Sequence, residues 1–192
     1  MTKKEMLWRE ILHQVIDKKI TTFTQKDLAQ RFGISLSTVF NALKLPRQSG
    51  AIRVEGRNFA VVNAEKFLYL WATQRSLEKE TLYTTHADLS AREIEGMMPQ
   101  EAIFTCYSAY RLKYDDAPAD YDRVYVYADD EEMKKRFPPQ EGYVNVIVLK
   151  GDPRLRDFGS VTPDVQTFAD LWNAKEWYAR DFLNALKQKL FA

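Results

Sequence analysis

Residues 22–50 read TFTQKDLAQRFGISLSTVFNALKLPRQSG, and AIRVEGRNFAVVN follows at 51–63. Thr24 is placed to accept a main-chain N–H at the start of a helix, with Asp27 three residues on as the return partner of a capping box. Leu28, Ala29 and Phe32 form the apolar side of that helix, and Gly33 can take the left-handed conformation that ends it at little cost. Ser35 caps a second helix. Leu36, Val39, Phe40 and Leu43 supply its apolar side and leave Ser37, Thr38, Asn41 and Lys44 outside, and Pro46 and Gly50 are expected to stop it. Two short helices joined at a glycine, the second carrying small hydrogen-bonding residues, have the chemistry of a helix-turn-helix. Ala51–Val54 and Phe59–Val62 then read as two strands, with Glu55-Gly56-Arg57-Asn58 as the tight turn between them, which adds a wing.

A slim polar helix can enter the major groove of double-stranded DNA, where Ser, Thr and Asn hydrogen-bond to base edges. Ser37, Thr38 and Asn41 are therefore the candidate base readers. Lys44, Arg47, Arg53 and Arg57, with Asn58, are the candidate phosphate and minor-groove contacts. Winged folds also serve protein–protein contacts, so a module that binds a partner protein is the alternative. The charge distribution favours DNA. Residues 1–79 hold 14 lysines and arginines against seven acidic residues, a net +7, whereas residues 80–192 hold 14 against 20, a net −6. A basic front facing a polyanion and an acidic back make two modules, 1–79 and 80–192.

On the N-terminal side, Met6, Leu7, Leu12, Val15, Ile16 and Ile20 keep helical spacing over 3–19, with Lys3, Lys4, Arg9 and Lys18 on the polar face. On the other side, a helix over 64–77 presents Phe67, Leu68, Leu70, Trp71 and Leu77, a face suited to packing on the winged helix itself, to docking on the back module or to forming a dimer seam. The back module reads as α+β. It has helical stretches at 86–97 and within 102–113, strands at RVYVYAD (123–129) and YVNVIVLKG (143–151), and a short charged helix between them. A last helix is capped by Thr162, carries Pro163 in its first turn, and keeps its period to the C-terminus.

Other chemistries find less support. One cysteine, Cys106, excludes an internal disulfide and fits a reducing cytoplasm, where it reads as core filler. The N-terminal stretch carries acids within its apolar residues, unlike a signal peptide, and no apolar run is long enough to span a bilayer. His13 and His86 lie far apart without cysteine company, so no zinc site is expected, and no phosphate loop or dinucleotide fingerprint occurs. Asp120-Tyr121-Asp122 precedes a strand, as the Mg²⁺-holding carboxylates of nucleotidyltransferases do. The accompanying Gly-Ser is replaced by Thr105-Cys106-Tyr107-Ser108, and Asn145 sits where a third carboxylate would fall. This fits a degenerate nucleotidyltransferase-like fold better than an active enzyme, so neither catalytic residues nor cofactors are expected. Trp172 and Trp177 are expected in the core or an interface, and Arg154 and Arg156 in an exposed loop.

QKDLAQRFGISLSTVFNALK, the strands RVYVYAD and YVNVIVLKG, and above all VTPDVQTFADLW at 161–172 resemble the AbiEi-type antitoxins, the transcriptional regulators of type IV toxin–antitoxin systems. The resemblance implies a repressor of its own operon that binds DNA repeats. It also implies a neighbouring nucleotidyltransferase-like toxin, countered without a stable complex. A homodimer on paired half-sites would suit such a regulator, although no heptad marks a seam.

Overall fold

The computed structural model describes residues 1–191 and divides the chain into two compact units, Thr2–Gln74 and the residues from Arg75 onward together with Met1. Both mix helices with a small sheet, so the chain is α+β. Among the described residues no helix is long and apolar enough to cross a membrane.

The first unit opens with α1 (Lys3–Lys18), capped by Thr2 in a reciprocal capping box with Glu5. β1 (Thr22–Thr24) leads into α2 (Gln25–Phe32), where the Thr24 hydroxyl accepts the Asp27 N–H at 3.0 Å and Gly33 closes the helix at φ 59°. α3 (Leu36–Gln48) is capped by Ser35, which accepts the Thr38 N–H at 3.2 Å. β2 (Ile52–Glu55) and β3 (Asn58–Val61) form a hairpin around Gly56-Arg57, with Gly56 at φ 60°, the sign a primed two-residue turn requires at its first position. β3 is the central strand of an antiparallel sheet ordered β1-β3-β2. The pairing with β1 was not foreseen. Phe23 and Phe59 lie opposite each other in it, with stacked rings 5.6 Å apart.

α4 (Ala64–Gln74) completes this unit and is shorter than the 64–77 expected. It buries Phe67, Leu68, Trp71 and Ala72. The break between the units falls between Gln74 and Arg75, ahead of the 79/80 division read from the sequence, because the Arg75 side chain belongs to the core of the second unit.

Two residues of α1 overturn its polar-face reading. Arg9 is 1% exposed, and Trp8, outside the apolar periodicity, is fully buried. The Trp8 ring meets Phe67 edge-on at 5.6 Å, and its indole N–H donates to the Ala42 carbonyl at 2.8 Å. That carbonyl is released by Pro46, which has no N–H to return to the residue four positions back. Pro46 therefore lies inside α3 instead of stopping it. The helix runs to Gln48, where Lys66 Nζ reaches the Ser49 carbonyl at 3.1 Å.

The second unit begins with α5 (Leu77–Glu80) and continues into β4 (Thr81–Thr85), in a stretch read as a module junction. α6 (Ala91–Gly96) covers only the end of the helix expected from residue 86, since 86–90 form the loop out of β4. Then come β5 (Ile103–Thr105), α7 (Cys106–Tyr114), β6 (Val124–Tyr127), α8 (Asp130–Arg136) and β7 (Val146–Leu149). After a 3-10 turn at Leu155–Phe158 follow α9 (Asp164–Asn173) and α10 (Ala179–Phe191). The single C-terminal helix expected is thus two, separated by 174–178. Thr162 is not its cap. Pro163 holds that position, and the Thr162 hydroxyl bonds instead to those of Thr167 (2.7 Å) and Thr105 (3.3 Å).

The four-stranded sheet has the order β4-β7-β6-β5, with β6 and β7 parallel and the outer pairs antiparallel. Every residue of β6 and β7 is buried, as strands covered on both faces must be. Val124, Val126, Val146 and Val148 pack with Ile94 of α6 and Met133 of α8 on one face. Tyr125 and Tyr127 alternate to the other, toward α7 and α9. There Asp170 of α9 is fully buried and accepts three hydrogen bonds. Arg75 Nε donates to its Oδ1 at 2.9 Å, while the Tyr127 and Thr105 hydroxyls donate to Oδ2 at 2.6 and 2.7 Å.

The Trp8–Ala42 bond yields a test by double-mutant cycle. Trp8→Phe keeps most of the ring but leaves a buried carbonyl without its donor, a loss of about 1–3 kcal/mol. Pro46→Ala restores a main-chain N–H facing Ala42, so the same Trp8→Phe change should cost less in that background. Hydrogen exchange of the α1 and α3 core amides reads both costs. Equal costs in the two backgrounds would show that the proline and the indole are uncoupled.

Candidate nucleic-acid interface

α3 contains no acidic residue, and its sequence buries one side only. Val39, Ala42, Leu43 and Pro46 face the core. At about 100° per residue, Leu36, Arg47, Phe40, Lys44, Ser37, Gln48 and Asn41 fall in that order across an outward arc of about 140°, and all seven are exposed. This corrects the apolar side assigned from sequence. Leu36 and Phe40 point outward, 55% and 48% exposed, because Ala42 and Pro46 take the core positions those two were given.

Of the candidate base readers, Asn41 is exposed, and no side-chain bond from the described residues ties it down. The Ser37 hydroxyl shares a 2.9 Å bond with that of the cap residue Ser35. Thr38 lies at the edge of the arc, half-buried, with its hydroxyl 2.9 Å from Ser35 Oγ as well as its N–H on that atom. Ser37 and Thr38 thus lock the N-terminus of α3, whereas Asn41 stands exposed in the middle of the helix.

The basic residues also divide. Lys44 sits over the Phe40 ring at 5.4 Å, and no carboxylate pairs with Lys44, Arg47 or Arg57 among the described residues. Arg53 differs. Its Nη2 and Nε lie 2.7 and 2.8 Å from Glu55 Oε1, an exposed pair on one face of β2 that offsets its charge. Arg57 occupies the hairpin turn, with exposed Asn58 starting β3 opposite Glu55. A shallow apolar crevice separates α3 from the hairpin, walled by Phe40, Leu43, Ile52, Val54 and Phe59 and edged by Lys44 and Arg47. The first unit thus presents a polar and cationic stripe beside a basic turn, with Glu55 the one acid between them.

In the second unit the two carboxylate candidates lie at the surface and Asn145 lies inside. Asp122 Oδ1 accepts the hydroxyls of Tyr178 (2.5 Å) and Tyr143 (3.2 Å), and Asp120 is exposed. The Asn145 amide exchanges two 2.8 Å bonds with the backbone of Ala87. No group of three His, Cys, Asp or Glu side chains among the described residues is placed to hold a metal ion. Arg156 is exposed and Arg154 half-buried, 3.5 Å from Asp157. Trp172 and Trp177 lie outside the core, 42% and 78% exposed. The polar residues of VTPDVQTFADLW are buried and bonded. Besides Asp170 and the Thr162–Thr167 pair, Asp164 accepts from Lys113 at 2.6 Å and Tyr114 at 2.7 Å.

Compared with protein-family models, with curated proteins and with solved structures, the chain yields no match.

Cys106 lies at the strand-to-helix turn from β5 to α7, with φ 52°. It is fully buried, and burial pushes its thiol well above the usual range, helped by the nearby Asp170 and Glu176 charges. The thiolate is the reactive form, so a thiol reagent at pH 7 should label the native protein far more slowly than the denatured one. Rapid native labelling would contradict this placement.

Proposed function

We propose that the first unit is a winged helix-turn-helix that binds double-stranded DNA, with α3 as the recognition helix and the β2–β3 hairpin as the wing. The carrying observation is the acid-free outward face of α3, where Asn41 stands beside Lys44, with Arg47 across the same face and Arg57 on the neighbouring turn. A major-groove helix needs hydrogen-bonding side chains and nearby unneutralised cations, and this face offers Asn41 for the first and Lys44, Arg47 and Arg57 for the second. Asn41 reads a base, and Lys44, Arg47 and Arg57 hold phosphates. Arg53 contributes once it leaves Glu55. Ser37 and Thr38 serve mainly to fix the helix terminus.

The protein is then a transcriptional regulator. Its likeness to the AbiEi-type antitoxins, centred on VTPDVQTFADLW, supports reading it as an autorepressing member of a type IV toxin–antitoxin pair. The second unit, in this reading a degenerate nucleotidyltransferase-like domain, supplies no catalysis. A protein-docking role for that unit has one observation in its favour: Trp177 is 78% exposed with half-exposed Tyr143 and Trp172 in the same unit, and Trp and Tyr dominate the energetics of protein interfaces.

The test measures affinity for the DNA upstream of the protein's own coding sequence and for scrambled DNA, across a salt series. Asn41→Ala should cost about 1–3 kcal/mol on the cognate duplex and little on scrambled DNA. Arg57→Ala should weaken both and lower the salt slope by about one. Equal losses on both duplexes for Asn41→Ala would remove its reading role. No binding to either duplex by the unaltered protein would overturn the DNA reading and direct attention to protein partners.

A further inference from the structure

The outward face of α3 is not uniformly polar. Leu36 and Phe40, one helical turn apart, stand on it 55% and 48% exposed. Isolated exposed apolar residues need no explanation. These two form one row, on the flank nearest the hairpin, where Phe40 walls the crevice with Val54. They also lie in the N-terminal half of α3, the part of a recognition helix that reaches base edges first. Lys44, one turn beyond Phe40, holds its ammonium 5.4 Å from the ring centre, so a phosphate-seeking cation and an apolar surface are presented together.

We infer that Leu36 and Phe40 are specificity-determining residues that read thymine. This rests on the DNA-binding reading above and deepens it. Among the base-edge groups of the major groove, the thymine C5-methyl is the apolar one, and apolar side chains are its recognised partners. A cytosine at that position would set its amino group, which needs a hydrogen bond, against hydrocarbon. On the opposite flank of the arc, Asn41 carries the amide that pairs bidentately with adenine N6 and N7. The face as a whole therefore selects a site in which thymines lie on the hairpin side of the helix and an adenine on the other. A partner protein is disfavoured by the charge of the same face, which carries Lys44 and Arg47 and no acid.

The experiment changes the DNA before the protein. The upstream segment that the protein protects is synthesised with thymine and, separately, with deoxyuridine, which keeps every hydrogen-bonding group and lacks only the methyl. The unaltered protein should lose about fourfold in affinity for each contacted methyl removed, from a burial worth of about 0.8 kcal/mol per methyl. Phe40→Ala should lose a similar factor on the thymine duplex and become less sensitive to deoxyuridine, and Leu36→Ala should behave likewise at a neighbouring thymine. Both side chains are half in solvent, and a thermal melt matching the unaltered protein establishes that each variant is folded. Equal binding of both duplexes by the unaltered protein would overturn the thymine assignment while leaving DNA binding intact. Undiminished deoxyuridine sensitivity in both variants would assign the methyl contacts to other residues. Failure to bind the thymine duplex at all would remove the DNA reading and the assignment with it.

Discussion

One carbonyl governs how the first unit presents α3. Pro46 deprives the Ala42 oxygen of its helical partner, and an orphaned acceptor buried at 3% exposure would cost as much as several good contacts return. Trp8 fills that vacancy from α1 at 2.8 Å. The indole is a donor with one direction, so the bond fixes the rotation of α3 about its axis as well as its distance from α1. With Ala42, Pro46, Val39 and Leu43 turned inward, Asn41, Lys44, Phe40 and Leu36 have to face out. The chemistry of the proposed interface is thereby set from its back. A functional surface held on a rigid element by second-layer contacts is more precise than one held by a loop, and the bonds of Ser37 and Thr38 to Ser35 add the same stiffness at the end of the helix.

The second unit uses a charged version of the same device. Asp170 is buried and accepts three hydrogen bonds, from Arg75 at the start of the unit, Tyr127 in the central sheet and Thr105 in the edge strand. A buried ion pair is weak evidence for stability, since desolvation offsets much of the attraction, but it specifies which elements meet. Three segments distant in sequence converge on one carboxylate in α9. This gives VTPDVQTFADLW a physical meaning: its threonines and aspartates stitch the C-terminal helices to strand β5 and helix α7.

Much of the first unit was legible because its signals are local. Thr24 and Ser35 cap where small hydroxyls should, Gly33 closes a helix, and Gly56 turns a hairpin. What sequence reading misplaced has causes both distant and local. Pro46 reads as a terminator unless Trp8 is known to take up the freed carbonyl. Leu36 and Phe40 read as core until Ala42 and Pro46, the small and the cyclic residue, are counted as the apolar face. Of the proposed site, Asn41, Lys44, Arg47 and Arg57 were recoverable from residue type and helical spacing, whereas the tethering of Arg53 by Glu55 and of Thr38 by Ser35 needed coordinates. In the second unit, β4 was lost because Thr81–Thr85 lacks strict apolar alternation, and the last two helices were merged because Ala174–Tyr178 carries no glycine or proline to mark the break.

If α3 and the β2–β3 hairpin form a DNA-binding face, adding the duplex from upstream of the coding sequence should move the backbone amide chemical shifts of that face. The largest changes should cluster in residues 36–48 and 53–58, with Asn41 and Arg57 prominent, and should fade as salt is raised. Shifts confined to the second unit, or no shifts at any duplex concentration, would contradict a DNA-binding face there.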